Sequence, residues 1–596
     1  MTPRVLPLAI TLGLLCACEA ETSPAPAAPP APSLFDQDDP SPSPPTSSTP
    51  SRPDASLRFD DVTQAWGVSL RHHGGRHEER WLPEIMSGGV ALLDVDRNGA
   101  LDILLVDSGS VVDDAPPDSG PRLLLGDGKG GFRDATKSWG LTHKGYAMGV
   151  ATGDVDNDGW VDVYITSFDA TDTLWRNDGG KGFVDATEQW GIEPQGWSTS
   201  AAFLDADNDG DLDLYIARYV DYTLQDAIKC WFRNIHIYCT PAMYEAQPDR
   251  LLRNEGGRFI DVSSAAGVDT IAAKGLAVAT GDLDEDGDTD LYVGADISQN
   301  MLLANDGDGT FTEKGVTSGV AYSELGREEA TMGVAISQTD AEAEGKIGWD
   351  IAVTNFQSEP TSLYALRERG TYRERSDAAG IGASSRARLS FGIDWFDADN
   401  DGDEDLLVAN GHINDNIETF RDTVTFAQPN SLYRRVDEGT FEDVSAEAGP
   451  ALQKVGVSRG LAVGDIDGDG GVDYVVVDND DAVQVARNTS SDRGHWVNLW
   501  LEGTSANRSA IGAVVTVTHG GTTQYREVRG ATSYLSVSDR RLHVGLGADT
   551  SVDAVQIRWP DGTTEAVSLP SVDTHYHLVQ GRDPAAYVPG EAVRAP

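Results

Sequence analysis

The stretch GDVDNDGWVDVYIT, residues 153–166, decides the fold. Carboxylates stand at Asp154, Asp156, Asp158 and Asp162 around a turn at Gly159, and the residues that follow alternate as a strand does. The phrase returns as Asp94/Asp96/Asn98/Gly99/Asp102, Asp205/Asp207/Asp209/Gly210/Asp213 and Asp282/Asp284/Asp286/Gly287/Asp290. It appears again as Asp397/Asp399/Asp401/Gly402/Asp405 and Asp465/Asp467/Asp469/Gly470/Asp473. Successive starts are 60, 51, 77, 115 and 68 residues apart. The interval of 115 spans two units, so one repeat has lost its carboxylates; it enters at residues 332–336 and leaves at residues 350–353. Six intact copies and one degenerate copy make seven, and such a period marks a repeat architecture.

A second phrase follows each copy: an apolar strand, a Gly/Asp/Asn turn, then an aromatic before an acidic residue. Its aromatics are Phe132, Phe183, Phe259, Phe311, Tyr372 and Phe441, one short of seven. The missing one is Phe59, which precedes the first motif, while the last repeat runs out after residues 483–486. The N-terminal strand is therefore expected to complete the last blade. The fold class is all-β, a seven-bladed β-propeller over residues 56–490, closed so that no strand edge stays open.

Oxygen ligands at positions 1, 3, 5 and 9 of a tight turn, with the carbonyl of position 7, suit one hard cation, Ca²⁺ above all. An EF-hand would need Glu at position 12; here that position is Leu105, Ile165, Ile216, Val293, Val408 and Val476. EF-hands are excluded. About six Ca²⁺ sites are expected, on the carboxylates of the six copies and on Asn98.

The chain has 596 residues and a formal net charge of −51, which argues against nucleic acid as a partner. Residues 1–17 read as an export signal too short to span a bilayer, ending in a lipobox-like Leu15-Cys16-Ala17-Cys18 with Cys18 as the lipidated residue. Residues 18–55 are a Pro/Ser-rich spacer. A lipid-anchored protein of the bacterial cell envelope is expected, with the membrane engaged through the anchor alone. In an exported chain, Cys230 and Cys239 are expected as a local disulfide.

Residues 495–579 alternate apolar and polar between Gly turns, the pattern of a small β-sandwich. In its acidic repeats the chain resembles the FG-GAP/VCBS propellers of the kind found in integrin α heads. The C-terminal series Ser505-Ala-Asn507-Arg508, Ile511-Gly512, Ser533-Tyr534-Leu535, Gly545-Leu546-Gly547 and Trp559-Pro560 is similar to the ASPIC/UnbV module of the cartilage-acidic-protein-like family. Asn410-Gly411-His412 and Cys239-Thr-Pro241 are similar to that family too, whereas Ser509 replaces its usual acidic residue. The module is placed at 494–581, followed by a tail at 582–596. The resemblance implies extracellular calcium binding and adhesion-like or matrix-like interaction.

No Gly-x-Ser-x-Gly elbow, His-Glu-x-x-His or phosphate loop is present, so no catalytic residue is assigned. A binding module for a protein or glycan partner is the leading reading, and a calcium-dependent enzyme acting on polysaccharides is the alternative. His72, His73 and His77 form either a polar turn or a metal or cationic pocket. Two long insertions, residues 219–249 and 411–428, are expected on the face opposite the acidic loops. Trp231, Phe232, Tyr238 and Tyr244 there are candidate partner contacts, with His412 in the same setting.

Overall fold

The computed structural model describes residues 57–112, 115–117, 119–194, 196–340, 347–437, 439–591 and 593. The expected leader, the lipidated Cys18 and the spacer lie outside the described residues. Among the described residues no helix is long and apolar enough to cross a membrane.

Among the described residues, seven antiparallel four-stranded blades make up the propeller, blades 4 and 5 being joined into one sheet where Asp296 pairs with Ala330. Blade 1 is Val90–Leu93, Asp102–Leu105, Arg122–Gly126 and Phe132–Asp134. Blades 2 to 6 repeat that order, their innermost strands being Tyr146–Gly153, Ser198–Leu204, Gly275–Gly281, Glu329–Asp340 and Ser390–Phe396. Blade 7 takes Ser458–Gly464, Asp473–Asp478 and Gln484–Asn488 from the end of the propeller segment and Phe59–Asp61 from its start. Phe59 lies opposite Asn488, and its fully buried ring packs on Phe396 and Tyr474. The ring closes as the count of aromatics requires.

Each second strand begins on the ninth residue of an acidic motif: Asp102, Asp162, Asp213, Asp290, Asp405 and Asp473. Blade 5 differs. Its hairpin runs from Glu329–Asp340 into Ile347–Asn355, and residues 341–346 between them lie outside the described residues.

The C-terminal region is two four-stranded sheets. One has the order Leu542–Gly547, His495–Glu502, Thr574–Val579, Ala585–Tyr587, with the middle pair parallel. The other runs Thr522–Glu527, Val514–His519, Ala554–Arg558, Thr564–Val567. Residues 582–596, expected as a tail, therefore contribute a strand. Ala585–Tyr587 covers the edge of Thr574–Val579, and Tyr587 packs on Trp500 and His575.

This domain is more than an appendage to the ring. Residues 530–539 leave its second sheet and enter the propeller channel, where they bond to the innermost strand of every blade. Amides of Leu92, Val150 and Thr280 donate to the carbonyls of Val537, Leu535 and Ala531, covering blades 1, 2 and 4. The Ser200 hydroxyl accepts from Leu535 N in blade 3, and the Val334 carbonyl accepts from Ser533 N in blade 5. Ile393 N donates to Ser533 Oγ in blade 6, and Asp539 N donates to the Val463 carbonyl in blade 7. Glycines on or just before the inner strands admit this backbone: a Cβ on Gly89 would sit 2.3 Å from the Leu535 carbonyl oxygen, and one on Gly149 3.1 Å from Leu535 Cα. Alternation and Gly turns announce strands, but a segment that spreads its hydrogen bonds, donated and accepted, over seven separate strands has no periodic signature.

Candidate metal centres and the domain that covers them

The six acidic loops share one backbone. The fourth residue is left-handed in each, with φ of 53° at Arg97, 55° at Asn157, 58° at Asn208, 60° at Glu285, 58° at Asn400 and 71° at Gly468. The sixth is always glycine at φ between 80° and 107°, a conformation only glycine adopts without strain. This turn carries the sixth amide onto the first carboxylate: Gly99, Gly159, Gly210, Gly402 and Gly470 donate to Oδ2 of Asp94, Asp154, Asp205, Asp397 and Asp465 at 2.6–3.1 Å. The ninth carboxylate ties the loop to its blade. Asp162, for example, accepts from Val155 N on one oxygen and from Asn177 N on the other.

Three carboxylates per loop then converge. An oxygen from each lies within 4.8 Å of the others in the groups Asp94/Asp96/Asp102, Asp154/Asp156/Asp162, Asp205/Asp207/Asp209, Asp282/Asp284/Asp290 and Asp397/Asp399/Asp401. Buried Oδ1 atoms of Asp156, Asp205, Asp207, Asp282, Asp284 and Asp467 accept no hydrogen bond, although buried polar atoms are rarely left so. Burial above all, with neighbouring carboxylates adding, raises Asp154 and Asp205 to about 7 and Asp465 to about 8. Side chains of the same blades supply some counter-charge. Arg176 meets Asp156, Arg487 lies 2.6 Å from Asp467, and Lys314 lies 2.8 Å from Asp284.

Asp469, expected from its fifth position to be a metal ligand, has an arginine beside each of its oxygens. Arg487 Nη2 lies 2.8 Å from its Oδ2 and Arg493 Nη2 lies 3.1 Å from its Oδ1, which also accepts from Gly471 N at 2.9 Å. Both oxygens are thus taken by donors, two of them cationic, whereas Oδ1 of its neighbour Asp467 is left without a hydrogen bond. The cause lies in the chain just past the repeat. Arg493 sits between blade 7 and the C-terminal domain, and it also donates to Asn488 O, which fixes its guanidinium beside this loop.

Sequence reasoning missed a second set of residues that organise these loops. Asn177, Asn254, Asn305 and Asn488 close the third strands and donate to the Val95, Val155, Ala206 and Ala398 carbonyls, each in the loop of the preceding blade. In blade 5 the Tyr372 hydroxyl performs the same task on Leu283 O. The signal was present as an Asn recurring at one place in four repeats.

The C-terminal domain lies directly on this face. Arg541 donates to Gly99 O, Arg558 to Gly287 O and Arg526 to Gly402 O, while Ser509 Oγ accepts from Asp154 N. Between the two, a cavity of about 120 Å³ is lined by Asp394, Glu404, Arg526, Glu527, Arg529 and Arg540, among others.

On the opposite face the two insertions meet over the channel. They arise between the second and third strands of blades 3 and 6. Asn416 donates to His236 O, Tyr238 N to Asn414 Oδ1, and the Tyr238 hydroxyl to Glu84, whose buried carboxyl is pushed up to about 7. The structure joins Cys230 and Cys239 in a disulfide within this cap. Of the four aromatics expected as contacts, Tyr238 is buried, Tyr244 packs on Tyr222, and Phe232 packs on Phe420. Those three hold the insertion down. Trp231 stays 61% exposed, stacked on His236. The histidines of the N-terminal turn do not converge: His72 bonds Ser108 and Ser87, His73 bonds Asp107, and His77 stacks on Trp81. His412 is fully buried, with Nδ1 accepting from Asn414 N.

Comparison with known proteins agrees with this division. The FG-GAP-like repeat family matches residues 94–165 and 154–216, and the ASPIC and UnbV family matches residues 503–585. Mouse cartilage acidic protein 1 is 25% identical over 521 residues, covering 82% of this chain and 73% of that protein. The human protein of the same name is 25% identical over 512 residues, covering 80% and 70%. Among solved structures, the Dos1 propeller aligns over 72% of this chain and 95% of that one, at 9% identity and a TM-score of 0.35, too low to carry an argument. The chain thus carries FG-GAP-like repeats and an ASPIC/UnbV domain, and over most of its length it is similar to cartilage acidic protein 1.

Proposed function

We propose that this protein is a calcium-loaded binding or adhesion-type module that presents a protein- or glycan-binding surface outside the cell. The observation that carries the calcium reading is the set of buried Oδ1 atoms without a hydrogen bond, at the third position of four loops and also at the first position of two of them, in loops with one shared backbone. All-oxygen ligands in a flexible turn favour Ca²⁺ over Mg²⁺, which demands stricter octahedral geometry. The carboxylates of the first, third, fifth and ninth positions would hold the ion, and its charge would relieve their mutual repulsion. Elemental analysis and calorimetric titration of the chelator-stripped chain test this, with about six ions per chain expected.

The partner surface we assign to the cap, around Trp231, because an exposed aromatic on a disulfide-held hairpin is a rigid contact with little entropy to lose. Loss of binding in Trp231→Ala with unchanged melting supports this; retained binding moves the site elsewhere. A glycan array, run beside an assay for new reducing ends, separates a glycan binder from a polysaccharide-cleaving enzyme. Export and anchoring through Cys18 belong to the same reading, and the mass of the mature N-terminal peptide tests them.

A further inference from the structure

We propose that the ASPIC/UnbV domain is part of the cation sites, with Arg541, Arg558 and His575 as positioning residues that aim the first carboxylate of the loops in blades 1, 4 and 7. This rests on the calcium reading above.

The geometry singles out one atom. In Asp94, Asp397 and Asp465, Oδ2 takes the glycine amide at 2.8–2.9 Å and Oδ1 takes the fifth-position amide at 3.1 Å, so Oδ1 keeps a lone pair for the ion. The C-terminal domain approaches Oδ2 each time. Arg541 Nη2 lies 3.5 Å from Asp94 Oδ2, Arg558 Nη2 lies 3.4 Å from Asp282 Oδ2, and His575 Nε2 lies 3.5 Å from Asp465 Oδ2. In Asp282 the other oxygen is buried and accepts nothing. The three residues come from separate places in the domain: just before Leu542–Gly547, at the end of Ala554–Arg558, and within Thr574–Val579. Incidental packing of one loop on another would not select the same oxygen three times.

The blade-6 loop reaches the same end by close approach. A Cβ on Gly545 would fall 2.0 Å from Asp397 Oδ2, so the backbone of Leu542–Gly547 lies against that carboxylate only because residue 545 has no side chain. Partners of this outer kind fix ligand orientation, and their loss costs metal affinity about 10- to 100-fold. Coupling is reciprocal, so an ion that tightens the loop also tightens the docked domain.

A simple charge effect has the opposite sign. A guanidinium beside a calcium site repels the ion, so removing it as a charge alone would tighten binding. The full-length chain is titrated with Ca²⁺ by calorimetry as wild type, Arg558→Gln, Arg558→Lys, Arg541→Gln and Gly545→Ala. Expected is an unchanged site count with one site weakened about tenfold or more in each Gln variant and in Gly545→Ala. The Lys variant should recover part of the loss, and the melting deficit should close as Ca²⁺ saturates. Unchanged or tightened isotherms in both arginine variants, with the wild type binding normally, overturn the positioning role alone. A wild-type chain that binds no Ca²⁺ overturns the calcium reading and this inference with it.

Discussion

Arg435 reaches from blade 6 to set its guanidinium 3.3 Å from the Asp350 carboxylate of blade 5, both side chains being almost fully buried. Asp350 stands where the other blades have the ninth residue of an acidic loop: Ile351 faces Tyr364 as Leu406, next to Asp405, faces Tyr433. In the blade that lost its carboxylate ladder, a neighbour's arginine is the counter-charge.

Arg435→Met should therefore destabilise the chain by about 3–5 kcal/mol, because it leaves a buried carboxylate unpaired. Combining it with Asp350→Leu should recover much of that loss. Urea unfolding with and without EGTA checks it; a deficit that disappears in EGTA would make the pair part of a metal site instead.

Chelation should lower the melting temperature of the wild type. Each site that binds only the folded state contributes about 2.7 kcal/mol at a hundredfold excess of ion over its dissociation constant. An unchanged melting temperature in EGTA would leave the acidic loops as turns.

Stability of the metal-free protein should fall between pH 5 and pH 8. Burial above all raises Asp172, Asp249 and Glu329 to about 7, and the loop residue Asp465 to about 8. Unfolded carboxyls titrate near 4. Across that window the folded chain holds protons that the unfolded chain has released, so rising pH favours unfolding. Melts of EDTA-treated protein at the two pH values test the sign, and higher stability at pH 8 would refute it.

Phe59→Ala should cost about 3–5 kcal/mol, as expected for a fully buried aromatic. Removal of residues 19–53 should change nothing measurable, whereas truncation through Val68 should unfold the ring by leaving the outer edge of Gln484–Asn488 unpaired. Equal melting temperatures for the two truncations would contradict closure by this strand.

Ending the chain at Ser490 should not release an intact propeller. It strips the inner strands of their bonds to residues 530–539 and opens an apolar channel to water. Dye binding and a broadened melt are expected, and a sharp transition at the wild-type temperature would show the plug to be dispensable.

The ring was legible in the sequence because its evidence is periodic. Asp154 and its five counterparts, with the doubled interval before Asp397, fix the blade count, and the displaced Phe59 fixes closure. The acidic loops were legible for the same reason, down to the glycine at position 6. What escaped depends on contacts without a period. Asp469 matches its motif position, yet Arg493, outside the repeat, takes one of its oxygens. Arg541, Arg558 and His575 lie far from the loops in the chain and reach them only once two domains dock. Tyr238 and Phe232 resembled exposed contacts because aromatics that bind partners and aromatics that fasten a loop have the same composition. Asn177 and its equivalents lay between, repeating visibly but bonding to a neighbouring blade that one repeat alone does not show.

The strand that closes the ring sets the order of folding. Arg58 and Ser490, which hydrogen-bond beside that strand, are 432 residues apart in sequence. Blade 7 therefore cannot form until the whole propeller has been synthesised, and residues 530–539 emerge later still. Closing so long a loop is entropically expensive before any contact rewards it, and chains dominated by such pairings fold slowly. Until then the Phe59–Asp61 strand has no partner and the ring stays open, a species exposed to wrong partners and to proteases.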